Sequence, residues 1–185
     1  MPKKNLRNMV GYGAKGKKIS WPNNAKLALQ IVLNYEEGGE SCILNGDKYS
    51  ETFLSEIIGA KAIKGRHISM ESIYEYGSRA GFWRLDKLFK EKKIPVTIFG
   101  VALALKQNPE VCEAIKTGDY EIAAHGYKWI DYQEVKKSVE KKHMQQAIKI
   151  IKGIFGSRPQ GWYTGRCGPN TRDLIFEEGG FLYDS

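Results

Sequence analysis

Short apolar runs alternate with longer amphipathic stretches along this chain. Residues 26–35 (KLALQIVLNY) are short enough for a strand and rich enough in Leu, Ile and Val to be covered on both faces. A polar, Gly-containing stretch over 36–66 follows. A helix is expected from Ser69 or Met70 to about Tyr76. Gly77 and Gly81 punctuate it before a second helix over 81–93, which puts Phe82, Leu85, Leu88 and Phe89 on one face. The β-branched run 95–101 (PVTIFGV) is the next strand. Two short helices come after it, one ending near Gln107 and one over 109–116, where Pro109 suits a first turn and Gly118 a stop. A short strand over 121–124 runs into His125. The longest helix spans 134–155 and Gly156 ends it. A strand over 159–164, a helix over 170–178 capped by Asn170, and a final strand over 181–183 complete the pattern.

Strands alternating with helices at this spacing predict an α/β fold with a parallel sheet. Five strands are too few for a complete eight-stranded barrel, which takes roughly 250 residues. The 185-residue sequence also stops at Ser185, directly after an apolar strand whose edge and face nothing would cover. The expectation is a basic arm over 1–24 and one domain over 25–185 that lacks its C-terminal part.

Charge and cysteine usage narrow the class. Lys and Arg number 29 against 21 Asp and Glu, a net charge of +8. The excess Lys gathers in the leading tail and over 134–152, the wet face of an amphipathic helix, and aromatic residues are not interleaved with it. Nucleic acid is therefore not an expected partner. No apolar run approaches the roughly 18–20 residues of a membrane span, and no apolar segment of a secretory signal follows the basic N-terminus. Cys42, Cys112 and Cys167 are odd in number and far apart, which fits a reducing cytoplasm rather than a disulfide framework.

Residues 11–16 (GYGAKG) spell a dinucleotide-binding fingerprint, and 11–17 most of a phosphate-binding loop. Both need a strand running in and a helix leaving, so that backbone N–H groups face a phosphate. Residues 3–10 are a poor strand, Ile19-Ser20-Trp21-Pro22 breaks a helix, and Lys18 stands where Ser or Thr would hold magnesium. The segment is expected to be a basic arm.

The polar residues that look deliberate fall at strand ends. Glu36 and Glu37 follow the first strand, His125 the third and Arg166 the fourth. In parallel α/β folds these ends share one rim, where catalytic groups converge. A carboxylate pair, an imidazole and a guanidinium suit hydrolysis of an amide: a base takes the proton of water, a cation steadies the oxyanion, and an acid protonates the departing nitrogen. Repulsion between adjacent carboxylates lifts one of them toward neutral pH. Each residue also has a structural reading. Glu36-Glu37 would be a solvated loop, His125 a hydrogen-bonded core residue, and Arg166 the partner of Asp184 or Glu177. Cys167 beside Arg166 has no evident base, and His143 on the Lys-rich helix is expected to face solvent.

At these residues the sequence resembles the polysaccharide deacetylase (NodB-homology) superfamily, and in particular its PuuE-type allantoinase branch. The strings that carry the resemblance are 34–40 (NYEEGGE), 70–77 (MESIYEYG), 81–85 (GFWRL), 161–166 (GWYTGR) and 177–184 (EEGGFLYD). The resemblance implies an incomplete (β/α) barrel and a hydrolase of non-peptide C–N bonds, with the hydantoin ring of allantoin as the branch's substrate. Metal-dependent members carry Asp-Asp after the first strand and a His-x-x-x-His motif. Here those positions hold Glu36-Glu37 and His125…Trp129, and an indole N–H cannot ligate a metal. No cofactor is expected; a divalent ion on Glu37 and His125 is the alternative that Trp129 disfavours.

The resemblance makes Glu36 the general base, Glu37 and His125 its polar partners and Arg166 the charge stabiliser. Trp129, Tyr163, His67 and Glu71 are expected to line the substrate pocket. The expected partner is a small-molecule amide, with room for a second copy or a complementing chain. The alternatives are a deacetylase of an N-acetylated sugar and a non-catalytic remnant of such an enzyme.

Overall fold

The structure, a computed structural model, describes residues 9–53, 55 and 57–185, so the first eight residues of the expected arm lie outside it. The strands are β1 (Val32–Tyr35), β2 (Thr97–Gly100), β3 (Glu121–Ala124), β4 (Gly161–Trp162) and β5 (Tyr183–Asp184). They form one five-stranded parallel sheet in sequence order. The helices are α1 (Ile68–Tyr76), α2 (Phe82–Lys92), α3 (Ala102–Gln107), α4 (Pro109–Thr117), α5 (Lys137–Phe155) and α6 (Thr171–Glu178). This is the expected α/β alternation, an open parallel sheet with helices between its strands.

The sheet is short because each strand lasts only as long as it has a neighbour. Residues 26–35 do not all pair: β1 begins at Val32, and Leu27 and Leu29 are 77% and 80% exposed. An edge strand has one ladder, and β2 offers register only from Thr97, opposite Val32. Of the expected run, only Tyr35 is buried within β1. Propensity without a partner strand does not make a strand.

Two expected breaks are absent. Gly77 and Gly81 keep helical dihedrals, and a π-helical turn over Gly77–Gly81 joins α1 to α2 without interruption. On α2 the buried line is Phe82, Asp86 and Phe89, while Leu85 and Leu88 stay partly exposed at 37% and 43%. Asp86 is stabilised there by Lys90 at 2.9 Å and the Tyr120 hydroxyl at 2.9 Å. Helix α5 starts at Lys137 rather than 134, because Tyr132 is buried in a turn that its backbone makes with Arg166 and Val135. Asn170 occupies the N-cap position of α6 but makes no side-chain cap; the Thr171 hydroxyl accepts from the Gly168 N–H instead.

The core lies between the sheet and α3–α5, built on Ile98, Leu105, Val111, Ile115, Ala147 and Ile151, all fully buried. Residues 11–16 are an exposed turn that no helix leaves directly, which counts against the phosphate-loop reading; most of the segment before it lies outside the described residues. No described helix is long and apolar enough to cross a membrane. Ile98→Ala is expected to destabilise the protein by about 2–5 kcal/mol in urea unfolding, while Leu29→Ala, on the unpaired part of the apolar run, changes it by less than about 0.5 kcal/mol.

Candidate active site

Parallel register fixes the site. Tyr35 pairs with Gly100, Gly100 with Ala124, and Ala124 with Trp162, so four strands end at one level. The next residue of each carries the ladder one step on: Val101 N–H donates to Tyr35 O, His125 N–H to Gly100 O and Tyr163 N–H to Ala124 O, each at 2.9 Å. Glu36 and His125 therefore emerge on the same rim, two strands apart.

Their side chains meet. Glu36 Oε1 lies 2.7 Å from His125 Nε2, and Asn34 Nδ2 donates to the same oxygen at 3.1 Å. His125 Nδ1 lies 2.9 Å from the Tyr163 carbonyl oxygen. A carbonyl only accepts, so Nδ1 donates to Tyr163 and Nε2 is the ring nitrogen that meets Glu36. His125 is 4% exposed, and its ring stacks on that of Tyr163 at 4.9 Å between centroids. Tyr163 thus holds His125 by both its backbone and its ring.

Glu37 and Glu40 form a wall between two cavities. The first, about 360 Å³, is lined by Asn34, Glu36, Glu37, Glu40, Tyr74 and Trp129 among others. The second, about 230 Å³, lies behind Glu37, Glu40 and Tyr74 and reaches Glu71 and Glu75. Glu37 presses on the π-turn at Gly77, where any Cβ would collide with its carboxylate. That contact explains the glycine and places the turn; π-turns recur at functional sites. Burial pushes the Glu37 carboxyl above the ordinary carboxylate value, and its neighbours Glu36 and Glu40 add to the rise. Glu40 is raised in the same way, by burial first and then by Glu71 and Glu51.

Arg166 reaches the cavity through Trp129. Its guanidinium carbon sits 3.9 Å from the indole centroid and 4.4 Å from that of Phe53, and Glu51 Oε2 lies 3.8 Å from Nη1. Stacking over aromatic faces is favourable for a guanidinium because its charge is delocalised and weakly hydrated. Trp129 is itself fixed by its N–H to Gly39 O at 2.8 Å. Asp184 and Glu177, the partners weighed for Arg166 from sequence, are engaged with Arg172 and with Lys137 and Lys141.

Of the expected residues, Glu36, Glu37 and Trp129 line the first cavity; His125 contacts Glu36, Tyr163 holds His125 and Arg166 stacks on Trp129, and none of these three lines either cavity, so Tyr163 supports the site rather than lining it. Two further expected residues stand aside from the first cavity. His67 caps α1, with Nδ1 accepting from Met70 N–H at 3.4 Å, and lines neither cavity. Glu71 is in the wall of the rear cavity, where Arg66 at 2.5 Å holds it below the ordinary carboxylate value. His143 is half-buried rather than solvent-facing: its Nδ1 meets the Tyr132 hydroxyl at 3.1 Å, and burial lowers its pKa. Asn34, Glu40 and Tyr74 belong to the site without having been singled out. They stand in the strings 34–40 and 70–77, and Glu40 lies one helical-turn spacing from Glu36, but only the folded loop turns it inward.

A divalent ion, which the fold family implies, does not fit these residues. Both His125 nitrogens are committed, one to a carbonyl and one to Glu36. Trp129 offers no lone pair, and no group of three His, Cys, Asp or Glu converges among the described residues.

Residues 64–175 match the polysaccharide deacetylase family profile, and the chain belongs to that family. It is 41% identical over 160 residues to a Schizosaccharomyces pombe protein named "Putative polysaccharide deacetylase", covering 84% of this chain and 50% of that one. The crystal structure of a "probable Polysaccharide deacetylase" from Pseudomonas aeruginosa PAO1 is 56% identical with a TM-score of 0.91, over 98% of this chain and 61% of that one. The crystal structure of PuuE allantoinase is 55% identical with a TM-score of 0.91, over 98% and 60%. The chain thus spans between half and about three fifths of these relatives' lengths.

The raised value of Glu37 has a defined sign in stability. Its contribution is fully present below the ordinary value of 4.5 and is lost as pH rises through the raised one. Glu37→Gln, which keeps the shape of the neutral acid, is expected to raise the unfolding temperature at neutral pH. The gain should shrink to nothing below pH 4.5, as read by calorimetry across pH.

Proposed function

We propose that the site hydrolyses a cyclic amide of a small ureide, with the hydantoin ring of allantoin as its type substrate, and activates water with a carboxylate rather than a metal. The observation that carries this reading is the contact of Glu36 with His125 Nε2, which closes the imidazole to a metal and holds the carboxylate at the cavity mouth. The cavity supports it. At about 360 Å³ it suits a small molecule, and its three carboxylates and Asn34 accept hydrogen bonds from a substrate rich in N–H groups. The 55% identity to PuuE allantoinase favours the same substrate class.

In this mechanism Glu36 takes a proton from water as the water oxygen bonds to the ring carbonyl carbon. His125, held by Tyr163, keeps Glu36 in place and shares its proton. Arg166 over Trp129 supplies positive charge beside the developing oxyanion. Glu37, whose carboxyl burial raises above the ordinary value, gives its proton to the departing nitrogen as the C–N bond breaks. Free thiols at Cys42 and Cys112 support a reducing, cytoplasmic setting.

Purified protein is expected to open allantoin, and a chelator should leave the rate unchanged. Glu36→Gln should lower kcat by about 10²–10⁴-fold with the unfolding temperature kept. Normal turnover in that variant removes Glu36 as the base. Because Glu37 acts in its neutral form, the rate should fall on the alkaline side as pH rises through its raised value. Release of acetate from an N-acetylated sugar, without allantoin turnover, would favour the deacetylase reading carried by the names of two relatives.

A further inference from the structure

Away from the cavity, the Glu140 carboxylate in the first turn of α5 is the least economical group in the core. The residue is 4% exposed, and its Oε2 is buried with no hydrogen-bond partner. The other buried residues of α5 are Met144, Ala147 and Ile151, and an apolar side chain would serve packing better here. What Glu140 does make is one very short hydrogen bond, from the Thr171 hydroxyl to Oε1.

That bond is the end of a chain with a fixed direction. The Thr171 hydroxyl accepts from Gly168 N–H at 2.8 Å, so its own proton is free to go to Glu140. Gly168 is pinned from the other side by Tyr132, whose carbonyl lies so close that no Cβ would fit. Tyr132 N–H donates to Arg166 O at 3.2 Å, and its hydroxyl is held by His143 of the same helix. The loop after β4 is thus gripped at 166 and at 168 by groups anchored on α5. This loop carries Gly165, which packs on His125, and Arg166, which stacks on Trp129 and Phe53.

We infer that Glu140 is a positioning residue: through Thr171 and Gly168 it fixes where the Arg166 guanidinium sits over Trp129. Its consequence for catalysis rests on the function proposed above; the placement of Arg166 does not.

The test replaces the polar pair by an apolar one, Glu140→Leu with Thr171→Val, and sets it beside Glu140→Gln. The apolar pair removes the buried orphan oxygen but also takes the acceptor from Gly168 N–H, so the two effects offset and the unfolding temperature should change little. It should nonetheless speed amide exchange at 165–168 and move the Arg166 side-chain N–H resonance, which the Trp129 ring current marks. Activity (kcat/KM on allantoin) should fall about 10- to 100-fold, the loss that a misplacement of order 1 Å brings, with the pH profile unmoved. Glu140→Gln keeps an acceptor for Thr171 and should match the wild type in amide exchange, Arg166 resonance and activity. Unaltered exchange and an unaltered Arg166 resonance in the apolar pair, or a loss in Glu140→Gln equal to that of the pair, would overturn the inference. Should the apolar pair fail to fold, Thr171→Val alone must show the same exchange and resonance changes, and its failure to do so counts against the inference equally. Altered exchange and resonance in a protein that never turns over allantoin would uphold the positioning role and reject the proposed substrate.

Discussion

Everything at the rim depends on parallel strands ending in register. Tyr35, Gly100, Ala124 and Trp162 are paired across four strands, and the ladder continues one residue beyond each. A slip of one residue would turn Glu36 or His125 to the opposite face of the sheet. The 2.7 Å contact between them is thus a property of strand pairing before it is a property of either side chain. The core behind the sheet, filled by Ile98, Leu105, Ile115 and Ile151, keeps that register from shifting.

Around this fixed pair the protein keeps carboxylates in surroundings that resist their charge. Glu37 and Glu40 are buried in a shared wall and both are raised. Backbone N–H groups temper the cost, Glu36 N–H donating to Glu37 at 3.2 Å and Gly38 N–H to Glu40 at 2.7 Å. The π-turn at Gly77–Gly81 belongs to the same arrangement, since Gly77 leaves the volume that the Glu37 carboxylate occupies. Trp129 completes it by holding a cation on its ring face, where the metal-dependent pattern calls for a second imidazole. A stacked guanidinium thus stands beside the carboxylates, on the ring that replaces the second imidazole.

The order of elements was legible because each has a hydrophobic period and a stop signal of its own. The β-branched run before Gly100, the Pro109 start and the Gly156 stop all sit where local chemistry put them. The rim residues were legible for a related reason: in a parallel sheet, a polar residue directly after a strand has one rim to go to. The errors share a cause. Leu27 and Leu29 look like strand but find no partner. Gly77 and Gly81 look like breaks but sit in an unbroken helix whose π-turn is shaped around Glu37. His67 looks like a pocket residue but caps α1, and His143 looks exposed but is half-buried against Tyr127 and Tyr132.

Composition, periodicity and spacing alone determined an α/β chain with carboxylates, an imidazole and a guanidinium on one rim, because these follow from local patterns and from the geometry of parallel sheets. Only the tertiary structure decided which carboxylate meets His125, which are buried enough to be raised above the ordinary carboxylate value, and that Arg166 stacks on Trp129 and Phe53 beside Glu51 rather than pairing with Asp184 or Glu177. Those outcomes turn on distances between segments some 40 to 130 residues apart in sequence (Glu36 to His125 and Arg166, Trp129 to Arg166), and no local pattern encodes a distance of that kind.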